Sequence, residues 1–162
     1  MVQAGIAGSL NPEAQLSSVA FVQNETVGDL GVDENGKFHS LFDLKLLGMD
    51  EPPWTNGKLH NSLNNSFVKD FKVVDGVTVN EISTRNSVIS YYRDQLGALS
   101  ESMEGAGLHY VGLKEKIPFM QLRSLSNFAG ERDKKKWKMQ ESISNLNREL
   151  EVLLLKLVNH EI

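Results

Sequence analysis

The sequence predicts an α/β domain built on a mostly parallel β-sheet. In the C-terminal half of the chain, segments typical of strands alternate with segments typical of helices, which is the order found in βαβ units. One of these segments, residues 117–125, is a nearly continuous apolar run, as expected of a strand buried on both faces. The chain has 162 residues, 40% of them hydrophobic, which is enough for one domain with one core.

The N-terminal part of the chain contains less regular segments. Residues 2–4 lead into residues 5–9, Gly-Ile-Ala-Gly-Ser, which we interpret as a glycine-containing turn at the end of a strand. Residues 19–27 are rich in β-branched and aromatic residues and predict a strand. Residues 31–66 are rich in Gly, Asn, Asp and Pro, which predicts a long loop of the kind that is usually functional or forms an interface.

The remaining segments follow one another in strand–helix order. An extended stretch at 71–82 precedes a helix at 87–96, and a short strand at 98–102 leads into a helix at 103–116. The last helix has an apolar stripe over about six turns, and Asp133 is expected to cap its N-terminus. The stripe consists of Trp137, Ile143, Leu146, Leu150, Leu153, Leu154 and Leu157.

The composition excludes several classes of protein. A net charge of −4 and a pI of about 5.6 provide no basic surface for nucleic acid or an anionic membrane. The lack of cysteine removes disulfides, thiolate nucleophiles and cysteine-based metal sites. No apolar run approaches the ~20 residues that span a bilayer, and the N-terminus has no secretory signal. We therefore expect a cytoplasmic protein with neither a nucleic-acid nor a membrane partner.

No motif indicates a metal or a cofactor, and we expect neither. A Walker A loop, a dinucleotide-binding fingerprint and a nucleophile elbow are all absent from the sequence. The histidines do not have the spacing of metal ligands. They are His39, His60, His109 and His160.

Three predicted strand ends are candidate sites, residues 5–9, 102–104 and 126–127, because ligands of parallel sheets bind outside the carboxyl ends of strands. Glu104 follows a strand directly, and its carboxylate can accept both donors of a ribose cis-diol. The alternative is that Glu104 only complements the helix N-terminus. Asn127 offers a donor and an acceptor in one plane, which suits a purine edge; alternatively, it caps the strand end.

Other residues near these strand ends have two interpretations each. Arg132 has the fork geometry that binds a substrate carboxylate, or it is an ordinary surface arginine. Gly105 and Gly107 suit a helix that lies close to its sheet. The lysines at 134–136 are expected to form a solvated face.

Four stretches of the sequence carry a resemblance to a known family. They are residues 4–8, 102–106, 117–127 and 130–133, the last together with Trp137. These stretches resemble the purine nucleoside phosphorylase and nucleosidase superfamily, and within it the futalosine hydrolase branch, which residues 38–44 also resemble. The resemblance covers almost the whole chain.

This resemblance implies a three-layer αβα fold around a mixed, mostly parallel central sheet, and a homodimer. It further implies an N-glycosidase that hydrolyses the N-ribosidic bond of futalosine in menaquinone biosynthesis and releases hypoxanthine. Glu104 and Asn127 are then the catalytic residues: Glu104 holds the ribose 2′- and 3′-hydroxyls, and Asn127 contacts the base near N7 and O6. Met103 packs against the sugar.

The remaining implied roles concern the sugar and the substrate tail. Ala7 and Gly8 would line the site around the ribose and the water, and Arg132 would bind the carboxylate of the tail. The family's first strand and its water-activating glutamate would precede residue 1. We therefore expect residues 1–162 to form a single, N-terminally truncated domain that lacks the family's first strands.

Three activities stay open at this point. They are hydrolysis of futalosine, phosphorolysis of a 6-oxopurine nucleoside, and nucleoside binding without turnover. Hydrolysis is favoured by Ile6, whose side chain is apolar. The resemblance implies that phosphorylases of this superfamily have a hydroxyl group at that position. The loop at 31–66, with Trp54, is the expected dimer surface.

Overall fold

The computed structural model describes residues 1–63 and 68–159. Its strands, numbered along the chain, are β1 (Val2–Ser9), β2 (Val19–Val27), β3 (Gly31–Glu34), β4 (Lys37–Ser40), β5 (Leu59–His60), β6 (Lys72–Thr78), β7 (Ser100–Ser102) and β8 (Met120–Phe128). Its helices are α1 (Asn86–Ser90), which a π-helical turn at Tyr91–Gln95 continues, α2 (Gly105–Lys114) and α3 (Met139–Val158).

Six of the strands form one mixed sheet in the order β5-β2-β6-β7-β1-β8. The two longest ladders, β1–β8 and β2–β6, are parallel, whereas β7 pairs with β6 in parallel and with β1 antiparallel. Because β8 also pairs antiparallel with β2, five strands close into a ring that leaves β5 outside. This mixed sheet with its helices confirms the predicted α/β class.

The helices cover different parts of the ring. Helix α3 packs on β8, β1 and β2, and α2 packs on β2, β5 and β6. Phe21 of β2 and Leu122 of β8 are fully buried beneath α3, in one cluster with the buried Leu146 and Leu153 of that helix. These two leucines are seven residues apart and therefore lie on the same side of the helix.

The apolar stripe of α3 is narrower than the sequence predicts. Leu146 and Leu153 are buried, but Ile143, Leu154 and Leu157 are exposed. Ile143 follows Ser142, which is fully buried and donates to the Leu125 backbone oxygen, so Ile143 is rotated by about 100° away from the sheet. Leu154 follows Leu153 and is therefore rotated by about 100° away from the sheet.

The glycine-containing turn predicted at residues 5–9 is wrong, because β1 continues through Ser9. Gly5 pairs with Arg123 across the β1–β8 ladder, and a side chain at Gly5 would collide with the Arg123 guanidinium. Glycine within this strand thus marks a close approach between neighbours and not a turn. The register shifts between Ala7 and Gly8, which is a local irregularity of the ladder.

The predicted loop at 31–66 is more ordered than expected. It contains the β3–β4 hairpin and the short strand β5. A turn at Asn35 and Gly36, both with positive φ, joins the hairpin strands. Residues 64–66 of this stretch lie outside the described residues.

Two predicted boundaries in the C-terminal region are also displaced. The strand expected at 117–125 is β8, which begins and ends three residues later. Asp133 does not cap α3: it accepts a hydrogen bond from the Lys135 backbone N–H (3.0 Å) and so caps a separate 3₁₀ turn at Lys134–Lys136. Helix α3 begins only at Met139. Along residues 1–63 and 68–159, no helix is long and apolar enough to cross a membrane.

Two adjacent leucines of α3 test this packing. Leu153→Ala should lower the free energy of unfolding by about 2–5 kcal/mol, because the side chain is 5% exposed and leaves a cavity. The matched change Leu154→Ala, at a residue 53% exposed, should lower it by less than about 0.5 kcal/mol. Urea denaturation measures both, and equal losses would contradict the orientation of α3.

Candidate functional site

Glu104 occupies the junction between β7 and α2. Its side chain is 62% exposed and makes no hydrogen bond to the helix N-terminus that it precedes. Its Oε2 instead lies 3.2 Å from Nη1 of Arg123. The carboxylate therefore does not act as a hydrogen-bonding cap, and it is open to solvent beside one fixed cation.

Arg123 is the residue that holds Glu104 in place. Its side chain is buried on β8, and its Nη2 donates to Oε1 of Gln3 (2.9 Å). Gln3 Nε2 in turn donates to the backbone oxygen of Glu104 (3.3 Å), which completes a ring of contacts between β1, β8 and the β7–α2 junction. Burial lowers the pKa of Arg123, and the carboxylates of Glu104 and Glu25 oppose that shift.

Sequence analysis overlooked Arg123 and Gln3, although a signal for the arginine was present. Arg123 interrupts the most apolar run of the chain. A charged side chain is rarely buried unless it is paired. An arginine within a predicted central strand therefore indicates a nearby carboxylate.

Asn127 lies near the end of β8 and is half-buried. Its Oδ1 accepts a hydrogen bond from Ser126 Oγ (2.8 Å), and its Nδ2 donates to the Phe128 backbone oxygen (2.9 Å). The register shift in β1 places Gly8 opposite Asn127, and a Cβ atom on Gly8 would lie 3.7 Å from the amide nitrogen. The two hydrogen bonds fix the plane of the amide.

The structure places Glu104 and Asn127 along the same pair of strands. Glu104 contacts Arg123, which pairs with Gly5, and Asn127 pairs with Gly8. Gly5 and Gly8 are three residues apart, which is about 10 Å along β1.

The other predicted site residues differ in exposure. Met103, next to Glu104, is about half exposed, whereas Ala7 is buried and pairs with Leu125. Arg132 is exposed in the segment between β8 and α3. The structure thus brings Gly8 to Asn127, whereas Met103 is already next to Glu104 in the sequence. Arg132 lies on the surface beyond β8.

A second set of polar side chains is buried where helix α2 packs on the sheet. Glu25 is fully buried, and burial raises its pKa to about 7, although a hydrogen bond from Thr78 and an interaction with Gln121 oppose the shift. His109 is also buried, and burial lowers its pKa to about 4. Its Nδ1 donates to the Leu59 backbone oxygen (3.0 Å). Both side chains are therefore mainly neutral near pH 6.

A cavity of about 510 Å³ lies beyond the carboxyl ends of β2 and β6. Its lining includes the aromatic rings of Phe38 and Tyr91 and the cations Lys37 and Arg85. Neither Glu104 nor Asn127 lines it. The cavity wall at Ser83 is joined to β7, because the Ser83 N–H donates to Glu101 Oε1 (3.2 Å).

A metal site would require a cluster of three or more ligating side chains. Among residues 1–63 and 68–159, no group of three or more His, Asp or Glu side chains has such an arrangement. His160 lies outside the described residues.

Two curated proteins are similar to the chain in sequence. It is 28% identical over 146 residues to a futalosine hydrolase of Streptomyces coelicolor, which covers 90% of this chain and 61% of that protein. It is 31% identical over 157 residues to a futalosine hydrolase of Thermus thermophilus, which covers 93% of this chain and 67% of that protein. The chain thus spans about three fifths to two thirds of the length of these relatives. No family model matches it.

Solved structures resemble the chain in fold. The native structure of futalosine hydrolase from Helicobacter pylori superposes with a TM-score of 0.76 at 19% identity and covers 96% of this chain and 67% of that one. A 5′-methylthioadenosine/S-adenosylhomocysteine nucleosidase from the same organism, in complex with a small molecule, gives the same values. These similarities confirm the expected nucleoside phosphorylase/hydrolase-like α/β fold.

The buried carboxyl group of Glu25 should make stability depend on pH. Its pKa is about 7 in the folded chain, against an ordinary value of 4.5 for an exposed glutamate, so the folded state holds the proton more tightly. The free energy of unfolding should therefore fall by about 3 kcal/mol as pH rises from 4.5 to above 7. Glu25→Gln cannot ionise and should gain this amount relative to the parent chain over that range.

Denaturation at several pH values between about 4.5 and 8 measures this difference. His109 contributes equally to parent and variant, so its own titration cancels. The exposed Glu13 provides the control, because Glu13→Gln should leave the pH dependence unchanged. Parallel curves for the parent and Glu25→Gln would contradict the buried, proton-binding state of Glu25.

Proposed function

Because the chain belongs to the futalosine hydrolase family, we propose that the protein hydrolyses the N-ribosidic bond of futalosine and releases hypoxanthine, as a step of menaquinone biosynthesis. The observation that carries the proposal is the exposed carboxylate of Glu104. It is held by a buried arginine on the same pair of strands as Asn127.

Glu104 binds the ribose in this proposal. One carboxylate oxygen contacts Arg123 at 3.2 Å, and the exposed remainder of the group is available to the 2′- and 3′-hydroxyls. Cleavage of an N-ribosidic bond develops positive charge on the sugar, as in glycosidases. The negative charge of Glu104 stabilises that charge, and the half-exposed Met103 packs against the sugar.

Asn127 contacts the leaving base. Its Oδ1 accepts from N7 of hypoxanthine once N7 has been protonated by solvent, and the free hydrogen of Nδ2 donates to O6. The bonds from Ser126 and to Phe128 support this role, because they fix the amide plane before the base binds.

The remaining predicted residues contact the sugar and the tail. Gly8, beside Asn127, lines the ribose and water site together with Ala7. Arg132 binds the carboxylate of the substrate tail through its exposed guanidinium. The apolar Ile6, next to Ala7, favours water over phosphate as the attacking group.

We further place the protein in the cytoplasm as a homodimer. The cysteine-free sequence suits a reducing compartment. The dimer surface consists of exposed apolar side chains between β4 and β5, of which Leu46 is 72% exposed, and of Tyr110 on α2. Trp54, which was expected in this surface, is instead buried at 8% exposure, with its ring centroid 6.5 Å from that of Tyr110.

Assays in phosphate-free buffer test the activity. Hypoxanthine release from futalosine should proceed without phosphate, and Glu104→Gln should lower kcat/KM by about 10²–10³-fold, because a charge that stabilises the transition state is lost. Glu115→Gln, at an exposed glutamate at the other end of α2, should leave kcat/KM unchanged.

Each alternative activity gives a different result in these assays. Turnover of inosine that requires phosphate would indicate a phosphorylase. Nucleoside binding with no release of base under either condition would indicate a binding protein, and both results would overturn the proposed hydrolysis.

Arg132→Ala tests recognition of the tail. The variant should raise KM for futalosine about tenfold or more, the loss expected for one charge-assisted hydrogen bond, and should leave KM for inosine unchanged. Steady-state kinetics with the two nucleosides measure the difference. Equal effects on both substrates would show that Arg132 does not bind the substrate tail.

A further inference from the structure

The buried carboxyl group of Glu25 occupies a space that two glycines provide. A Cβ atom on Gly76 would lie 2.7 Å from Glu25 Oε2, and one on Gly105 would lie 2.6 Å from it. Real Cβ atoms do not approach an oxygen so closely, so a side chain at either position would displace the Glu25 carboxyl group. Gly107 differs, because a Cβ atom there would meet open space, and the expected close packing applies only to Gly105.

A short chain of hydrogen bonds connects Glu25 to the first turn of α2. Thr78 Oγ1 donates to Glu25 Oε1 (2.8 Å) and accepts from the Ala106 backbone N–H (2.8 Å). The first N–H groups of a helix have no partner within the helix. The residue that normally supplies one is the N-cap, but Glu104 makes no such bond. Helix α2 is therefore capped from β6, by Thr78.

Capping by Thr78 leaves the carboxylate of Glu104 free for another partner. We propose that Glu25 and Thr78 are positioning residues for Glu104, holding the start of α2 so that the Glu104 carboxylate faces the ribose. This inference rests on the proposed function, since it concerns how the nucleoside is bound. Glu25 orients the Thr78 hydroxyl, and Thr78 fixes the backbone of the residue two places after Glu104.

The other neighbours of Glu25 are consistent with a neutral carboxyl group. Gln121 lies between Glu25 and His109 and interacts with both. When the Gln121 amide oxygen is turned towards Glu25, the protonated carboxyl group donates to it. The amide nitrogen then donates to His109 Nε2. This arrangement pairs three atoms that otherwise have no hydrogen-bond partner among the described residues, Glu25 Oε2, Gln121 Oε1 and His109 Nε2.

When Glu25 is neutral, the positive charge of Arg123 also remains available to pair with Glu104. Arg123 interacts electrostatically with both carboxyl groups. A neutral carboxyl group at Glu25 does not compete with the Glu104 carboxylate for the guanidinium. Burial supports this state, because it raises the pKa of Glu25 to about 7.

Substitutions at Thr78 test the proposal in the full chain. Thr78→Val removes the hydroxyl at nearly constant shape, and Thr78→Ser retains it. Thr26→Val is the matched control: Thr26 is a buried threonine next to Glu25, on the opposite face of β2. Thr78→Ala replaces the valine variant if that variant does not fold.

The first measurement is calorimetric binding of inosine and of hypoxanthine, which differ by the ribose. Thr78→Val should weaken inosine binding by about 10–100-fold, as small misplacements of a binding group do, and leave hypoxanthine binding unchanged. Thr78→Ser should restore inosine binding, and Thr26→Val should alter neither ligand. Equal weakening of both ligands, or unchanged inosine binding, would overturn the positioning role.

The second measurement is amide hydrogen exchange at Ala106. Exchange should accelerate in Thr78→Val, and it should remain slow in Thr78→Ser and in Glu25→Gln, which keeps the acceptor oxygen. Unchanged exchange in Thr78→Val would overturn the capping contact itself. A parent chain that binds neither ligand, with Ala106 still protected by Thr78, would contradict the proposed function and leave the capping contact established.

Discussion

A positive charge is buried in the most apolar strand of this protein, and much of the candidate site follows from it. The guanidinium of Arg123 can remain inside only if a nearby negative charge balances its own. Gly5 supplies the space, Gln3 accepts one hydrogen bond, and Glu104 supplies the negative charge. The position of Glu104 is therefore set by the requirements of a side chain on another strand.

The ring of strands explains why the interior is partly polar. Because β8 pairs with both β1 and β2, side chains from β2, β6 and β8 face one another at short range. Glu25, Thr78 and Gln121 meet there beneath the first turn of α2. A carboxyl group in such a place is stable when neutral and hydrogen-bonded. Through Thr78, it is connected to the backbone of the helix start.

Two interactions therefore meet at the β7–α2 junction: one holds the helix backbone, and the other holds the side chain that is proposed to bind the substrate. Backbone capping comes from Thr78 on β6, whereas the side chain of Glu104 faces outward to Arg123 and solvent. A glutamate that capped its own helix would have an oxygen occupied by backbone N–H groups. With the cap supplied from β6, Glu104 keeps the acceptor capacity that binding of a diol needs.

The sequence by itself determined the α/β class, the strand at 19–27 and the candidate residues Glu104 and Asn127, because local composition and strand-end position express these features. It misplaced the end of β1, since glycine in a sequence suggests a turn unless the approaching side chain, here that of Arg123, is known. Only the tertiary structure decided that Thr78 caps α2 and that Glu25 lies beneath it. Those contacts join residues 28 and 53 positions apart, and no local pattern records which distant side chains a closed ring of strands brings together.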